Sequence, residues 1–162
     1  MTASYHIRPV ESRDNADVAT VIRAVMPEFG AGGTGFAIHD AEVDTMYAAY
    51  TQPGSAYFVV ERNKQVMGGA GIGPLAGAQR GVCELRKMYL LPSLRGLGVG
   101  RELMARCLAA ARELGYRQCY IETLLGMDSA RALYLKSGFH RIPRRMGATG
   151  HFGCNRFYLR DL

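Results

Sequence analysis

The chain of 162 residues is expected to fold as a single α/β domain built on a mixed, twisted β-sheet flanked by helices. Three observations lead there. Segments with apolar residues at three- and four-residue spacing alternate with short runs of β-branched and aromatic residues, giving the order βααβββαβαββ. In the middle of the chain, strand, glycine-rich loop, helix and strand follow one another, which is a crossover unit. Three consecutive strands, the last of them the first strand of that unit, imply hairpins, so the sheet contains both strand senses.

"YHIRPV" reads as the first strand. Val18, Val21, Ile22 and Val25 repeat at helical spacing, and that helix stops near Pro27, which disfavours helix in the residue before it. "EFGAGGTGFAI" is a glycine-rich loop. Val43, Met46, Tyr47 and Tyr50 predict a second helix, and "QPGS" a turn. "AYFVVE", "VMGGAGIGP" and "GVCELRKMYL" are three strands. The glycines of the middle one point to a bulge or to close approach by another group. Pro92 ends the third strand and "SLRGLGVG" connects it to a helix burying Leu103, Met104, Cys107, Leu108, Ala111 and Leu114, with Gly115 beyond its end. "QCYIETL" is a strand. Asp128 or Ser129 is expected to cap the short helix "SARALYLKS", closed by Gly138. "FHRIP" and "RFYLRDL" complete the sheet.

The formal charge of +6 favours anionic ligands. Nucleic acid is not expected, because no aromatic-basic RNA motif or zinc-finger spacing accompanies that charge. No apolar run has the length of a membrane span, and "MTASYHIRPV" lacks the pattern of a secretory leader, so a cytoplasmic protein without a membrane partner is expected. Cys83, Cys107, Cys119 and Cys154 are scattered, and three of them fall inside apolar patterns as small core residues. His151 and Cys154 could form half of a metal site, but no second pair has ligand spacing, so no metal is expected. Arg141, Arg144 and Arg145 form a basic cluster that fits a solvated face or an acceptor contact.

The segment "LRGLGVGREL" carries the chemistry. A helix N-terminus presents free N–H groups and partial positive charge, and a preceding glycine loop lets the backbone approach an anion closely. Arg95 and Arg101 add formal charge. A P-loop is excluded because the loop has no lysine, and the dinucleotide fingerprint fails because Arg101 stands where its last glycine belongs. What remains, Arg95-x-x-Gly98-x-Gly100, resembles the pyrophosphate loop of the GNAT superfamily, the acetyl-CoA-dependent N-acetyltransferases. "ARALYLKSGF" resembles a second segment of that family, and the likeness runs from "CELRKMYLLP" to "LKSGF", about a third of the chain. One departure is Met127, where the family often has a cofactor-contacting Asn seven residues before the tyrosine.

The resemblance implies acetyl-CoA as cosubstrate. Its pyrophosphate would lie on Arg95, Gly96, Leu97, Gly98, Val99, Gly100 and Arg101. Its pantetheine arm would bond the backbone of Met88, Tyr89 and Leu90, like an added strand. The implied reaction is transfer of the acetyl group to a primary amine by direct attack. Glu84, on the strand eleven residues before Arg95, is the expected general base, and Tyr134 the expected general acid. His39, Asp40 and Glu42 are alternatives on the acceptor side. A non-catalytic CoA-binding module would keep the loop but lack the acid and base. The acceptor is expected to be a small molecule or peptide amine, and a homodimer is compatible with the family.

Overall fold

The computed structural model describes residues 4–125 and 127–162. Its strands and helices follow in the expected order: β1 (Tyr5–Pro9), α1 (Asn15–Val25), α2 (Met46–Tyr50), β2 (Ala56–Arg62), β3 (Gln65–Pro74), β4 (Val82–Leu90), α3 (Val99–Glu113), β5 (Gln118–Thr123), α4 (Asp128–Lys136), β6 (His140–Ile142) and β7 (Arg156–Asp161). The seven strands form one sheet in the order β1-β2-β3-β4-β5-β7-β6. Only β4 and β5 run parallel, joined through α3; every other described pairing is antiparallel.

Alternation along the strands divides the core between the two faces of the sheet. Val60, Ile72, Cys83 and Leu85 face α3, whose Leu103, Met104, Cys107, Leu108 and Ala111 are buried against them. Tyr57 and Val59 face the other way, toward Val18, Ile22 and Met26 of the first helical segment and Met46 and Tyr50 of α2. Cys83, Cys107 and Cys119 are buried free thiols of this core, while Cys154 is half-buried.

Three expectations at the element ends are corrected. The helix read over residues 43–50 is shorter, because Ala41–Asp44 forms a tighter 3-10 turn and only Met46–Tyr50 is α-helical. That tight turn sets the directions of two acidic side chains. The short helix α4 is not capped by Asp128 or Ser129, since Met127 occupies the N-cap position and no side chain bonds there. Leu114 is exposed at the end of α3 rather than part of its buried face.

Two of the glycines of β3, Gly69 and Gly71, make room for one ring. A Cβ at Gly69 would lie 2.6 Å from the Tyr57 ring, and one at Gly71 would lie 2.5 Å from it. Only bare backbone lets that ring lie flat across β3 toward β4. Tyr57 Oη donates a 2.8 Å hydrogen bond to the Lys87 carbonyl oxygen.

Candidate active site

The sheet opens at the centre of the crossover unit. β4 and β5 pair at Val82–Gln118, Cys83–Cys119 and Glu84–Tyr120, and no further. Beyond Glu84 the strands part, leaving a slot of about 80 Å³ walled by Leu85–Tyr89 of β4 and Ile121–Thr123 of β5, with Tyr134 and Cys154 across it. A wider basin of about 390 Å³ adjoins it, lined by Asp40, Glu42, Glu84, Arg86, Thr149 and His151. Glu84 and His151 border both spaces.

A β-bulge shapes the slot wall. Gly71 pairs with Arg86 and Gly69 with Tyr89, so β4 carries one residue more than β3 there. The extra residue reverses the alternation: Leu85 packs toward α3 before it, and Met88 and Leu90 do so after it. Lys87, at the bulge, has φ 49°, an uncommon conformation for a side chain without local polar groups. It is held there from two sides. Tyr57 takes its carbonyl, and its ammonium bonds Asp40 at 2.7 Å and Glu42 at 2.5 Å. The peptide is trans, so fixing the Lys87 carbonyl aims the Met88 N–H the opposite way, off Tyr57.

At the mouth of the slot, the loop before α3 is built for an anion. Gly96 and Gly98 have φ of 77° and 81°, and a Cβ at either would meet nothing within 4 Å. Gly98 is the N-cap of α3, and Val99 starts the helix. The N–H groups of residues 96–101 donate to no backbone carbonyl among the described residues. Together with the helix N-terminus they make an open cradle that fits a pyrophosphate. Arg101 is exposed beside it. Arg95 is held in place by two bonds, to the Leu90 carbonyl at 3.0 Å and to Glu28 at 2.9 Å, and lies over the Phe29 ring.

Around the basin the charges are paired. Glu84 is buried, and burial raises its carboxyl above the usual range, against the opposing pull of the Arg86 guanidinium 2.7 Å away. Burial also penalises Asp40 and Glu42, but Lys87 with His151 on one and Lys87 with Tyr50 on the other outweighs it, so both lie below their usual values. His151 Nε2 donates to both Asp40 oxygens at 2.9 and 3.0 Å; that bond raises the imidazole, with burial opposing. Glu122 accepts from Tyr120 and Thr149 and forms an ion pair with Arg145 at 3.3 Å. Arg145 thus leaves the basic cluster for the site's wall, while Arg141 and Arg144 are exposed.

Tyr134 is buried at the opposite wall. Burial pushes its phenol up to about 12, with a hydrogen bond to Thr123 acting against it. The Cys154 thiol is also pushed up to about 12 by burial. Of the residues singled out from sequence, the structure brings Glu84, Tyr134, Met88, Tyr89, Asp40 and Glu42 to one place. It leaves His39 outside, exposed and bonded to the Gly32 carbonyl. Lys87, Tyr57 and Glu122 were not read from the sequence as site residues; Asp40 was read as an acceptor-side alternative and His151 only as half of a possible metal site, and their pairing was not foreseen. Two adjacent charges, Arg86 and Lys87, which break the alternation of the strand, were the available sign of the bulge.

A split parallel strand pair leading to a glycine cradle at a helix N-terminus defines a protein that holds a phosphate-bearing, extended ligand across its sheet. The comparisons say which. The model of the acetyltransferase (GNAT) family matches residues 20–139. The chain is 42% identical over 157 residues to the uncharacterized N-acetyltransferase YjgM of Escherichia coli (strain K12), covering 96% of this chain and 94% of that one. Its fold superposes on an acetyltransferase from Streptococcus agalactiae with a TM-score of 0.80 at 17% identity, over the whole of both chains. It superposes on YncA of Salmonella typhimurium, solved with acetyl-CoA, with a TM-score of 0.75 at 21% identity, over 98% of this chain and 94% of that one. The chain belongs to the GNAT acetyltransferase family. It is an acyltransferase, and acetyl-CoA is its cosubstrate. None of the described helices is long and apolar enough to cross a membrane.

Proposed function

We propose that the protein transfers the acetyl group of acetyl-CoA to a primary amine by direct attack, with Glu84 as general base and Tyr134 as general acid. The observation that carries this reading is the place of Glu84. It sits where β4 and β5 part, on the wall shared by the slot and the basin. A carboxylate there faces the thioester from one side and the arriving amine from the other.

The slot fits a pantetheine arm bonded to the free edge of β4 at Met88, Tyr89 and Leu90, and the cradle at 95–101 fits the pyrophosphate. The thioester carbonyl would then accept from the Met88 N–H, whose direction is set by Tyr57 and Lys87. A fixed donor of this kind is typically worth about 10²–10³ in rate. Glu84 takes a proton from the ammonium, and its upward shift makes it a stronger proton acceptor than an ordinary carboxylate. Tyr134 stays protonated up to about 12, so it keeps the proton that the departing thiolate needs.

The test is kinetic. Glu84→Gln and Tyr134→Phe should bind acetyl-CoA nearly as the parent does and lose about ten- to a thousandfold in turnover. Glu84→Gln should recover in part at high pH, where the amine is already free, while Tyr134→Phe should not. Full activity in both variants would remove these residues from the mechanism.

A further inference from the structure

Acetyl transfer to an ammonium leaves a proton over. The nitrogen sheds two protons, one when the ammonium becomes an amine and one as the C–N bond forms and the C–S bond breaks. The thiolate takes back one. The other must leave the site once per turnover, and Glu84 is poorly placed to release it, since its side chain is 6% exposed and its carboxylate faces Arg86.

The neighbouring group is His151. One of its ring nitrogens lies within 4.8 Å of a carboxylate oxygen of Glu84 and of Glu122. Its side chain is 15% exposed and lines the basin as well as the slot. Nε2 is committed to Asp40, which fixes the tautomer and leaves Nδ1 unprotonated, as a carboxylate does for a histidine base elsewhere. Asp40 is itself fixed by the Lys87 ammonium at 2.7 Å. The loop that carries His151 is tied to the one before Asp40 by the Gly153 N–H, which donates to the Gly35 carbonyl at 3.0 Å.

We propose that His151, oriented by Asp40, is a proton-relay residue that carries the surplus proton from Glu84 to solvent. This rests on the amine-transfer reading above. The proton passes from the Glu84 carboxyl through one bridging water to Nδ1, the imidazolium is balanced by Asp40, and the charge is lost to water at the basin. Glu84 returns to its ionised form and no other reactant is consumed. The charged groups facing His151 are Asp40 and Glu42 from the segment before α2, Glu84, Arg86 and Lys87 from β4, Glu122 from β5 and Arg145 from its own loop. The carboxylates favour the imidazolium and the cations oppose it, so removing the Asp40 charge makes His151 easier to deprotonate.

The experiment measures thiol release from acetyl-CoA with butylamine, lysine and spermidine, with binding followed separately as the rise in melting temperature on adding CoA. His151→Ala should keep the CoA response and slow turnover about a hundredfold, within the usual range for a lost proton-transfer group. Added imidazole should restore at least a tenth of the lost rate, with methylimidazoles ranked by their basicity. Asp40→Asn should move the acidic limb of the pH–rate profile to lower pH. An unslowed His151→Ala, a loss that imidazole does not relieve, or an unmoved limb in Asp40→Asn would each overturn the role. If His151→Ala loses the CoA response through misfolding, the limb in Asp40→Asn decides alone. A parent enzyme that binds CoA but acetylates none of these amines would count against amine transfer itself, and this inference would fall with it.

Discussion

Replacing Lys87 by Met keeps the length of the side chain and the backbone at φ 49°, and removes only the ammonium. The side chain is 1% exposed and bonded to two carboxylates that are 28% and 25% exposed. Asp40 retains His151 as a partner, so Glu42 is the group left stranded. Its charge can be given up by taking a proton, which sets a ceiling on the cost. From an ordinary value of 4.5, protonation at pH 7 costs about 3.4 kcal/mol. The Tyr50 hydroxyl, 2.7 Å away, supports the carboxylate where it stays ionised, so a loss a little under that ceiling, about 3 kcal/mol, is expected, in keeping with other broken buried pairs. That corresponds to a fall in melting temperature of about 10 °C for a domain of this size. The sign with pH is a sharper check. Asp40 and Glu42 lie below their usual values in the parent, so they contribute stability above the usual carboxylate range and lose it as pH falls through their lowered values. Without the ammonium that contribution is gone, and protonating Glu42 at pH 5 costs only about 0.7 kcal/mol. Thermal or urea unfolding at pH 7 and pH 5 should therefore show a gap between parent and variant that narrows by about 2–3 kcal/mol at the lower pH. An equal gap at both values would mean that Lys87 acts by packing and not by charge.

Arg95→Ala should raise the Kd for CoA about ten- to a hundredfold by calorimetry with the fold intact, as loss of a charge-assisted bond to phosphate demands. The same arginine must first leave Glu28, so Glu28→Gln should bind CoA as tightly as the parent or up to about fivefold more tightly, a weakening being the contrary result. Tyr57→Phe removes the bond that holds the Lys87 carbonyl; it should cost about 1 kcal/mol in unfolding experiments and lower kcat about tenfold with little change in KM for acetyl-CoA. An unchanged kcat would free the Met88 N–H from that clamp.

The parts of the site legible in the sequence are those in which neighbours in the chain are neighbours in space. Arg95 to Gly100 form one loop, so six consecutive letters carry both its shape and its charge. Glu84 and Tyr134 were placed by the family resemblance, the first on the strand eleven residues before Arg95 and the second in the segment "ARALYLKSGF". The helical and strand periods were enough for the order of elements, since each segment has a single apolar face. The short α2 escaped that logic. Val43 is buried at helical spacing from Met46, but it belongs to a tighter turn that the hydrophobic pattern does not distinguish. What stayed hidden was the polar network. Asp40 and His151 are separated by 111 positions, and nothing local to either marks the other. The same holds for Tyr57 and Lys87, 30 positions apart.

That hidden network links the two halves of the proposed chemistry. The bulge at Lys87 would be a costly defect in an isolated strand: it breaks the ladder and puts a lysine in left-handed backbone. It persists because Tyr57 holds one side of the residue and two carboxylates hold the other. One consequence is the direction of the Met88 N–H, which the thioester needs. Another is a fixed Asp40, which His151 needs. A single buried ammonium thus bears on both the proposed polarising donor and the proposed proton exit, on either side of the place where β4 leaves β5. Substitutions that loosen it should impair the two functions together, and the glycines of β3 are the condition for it, since only Gly69 and Gly71 leave room for the ring that completes the clamp.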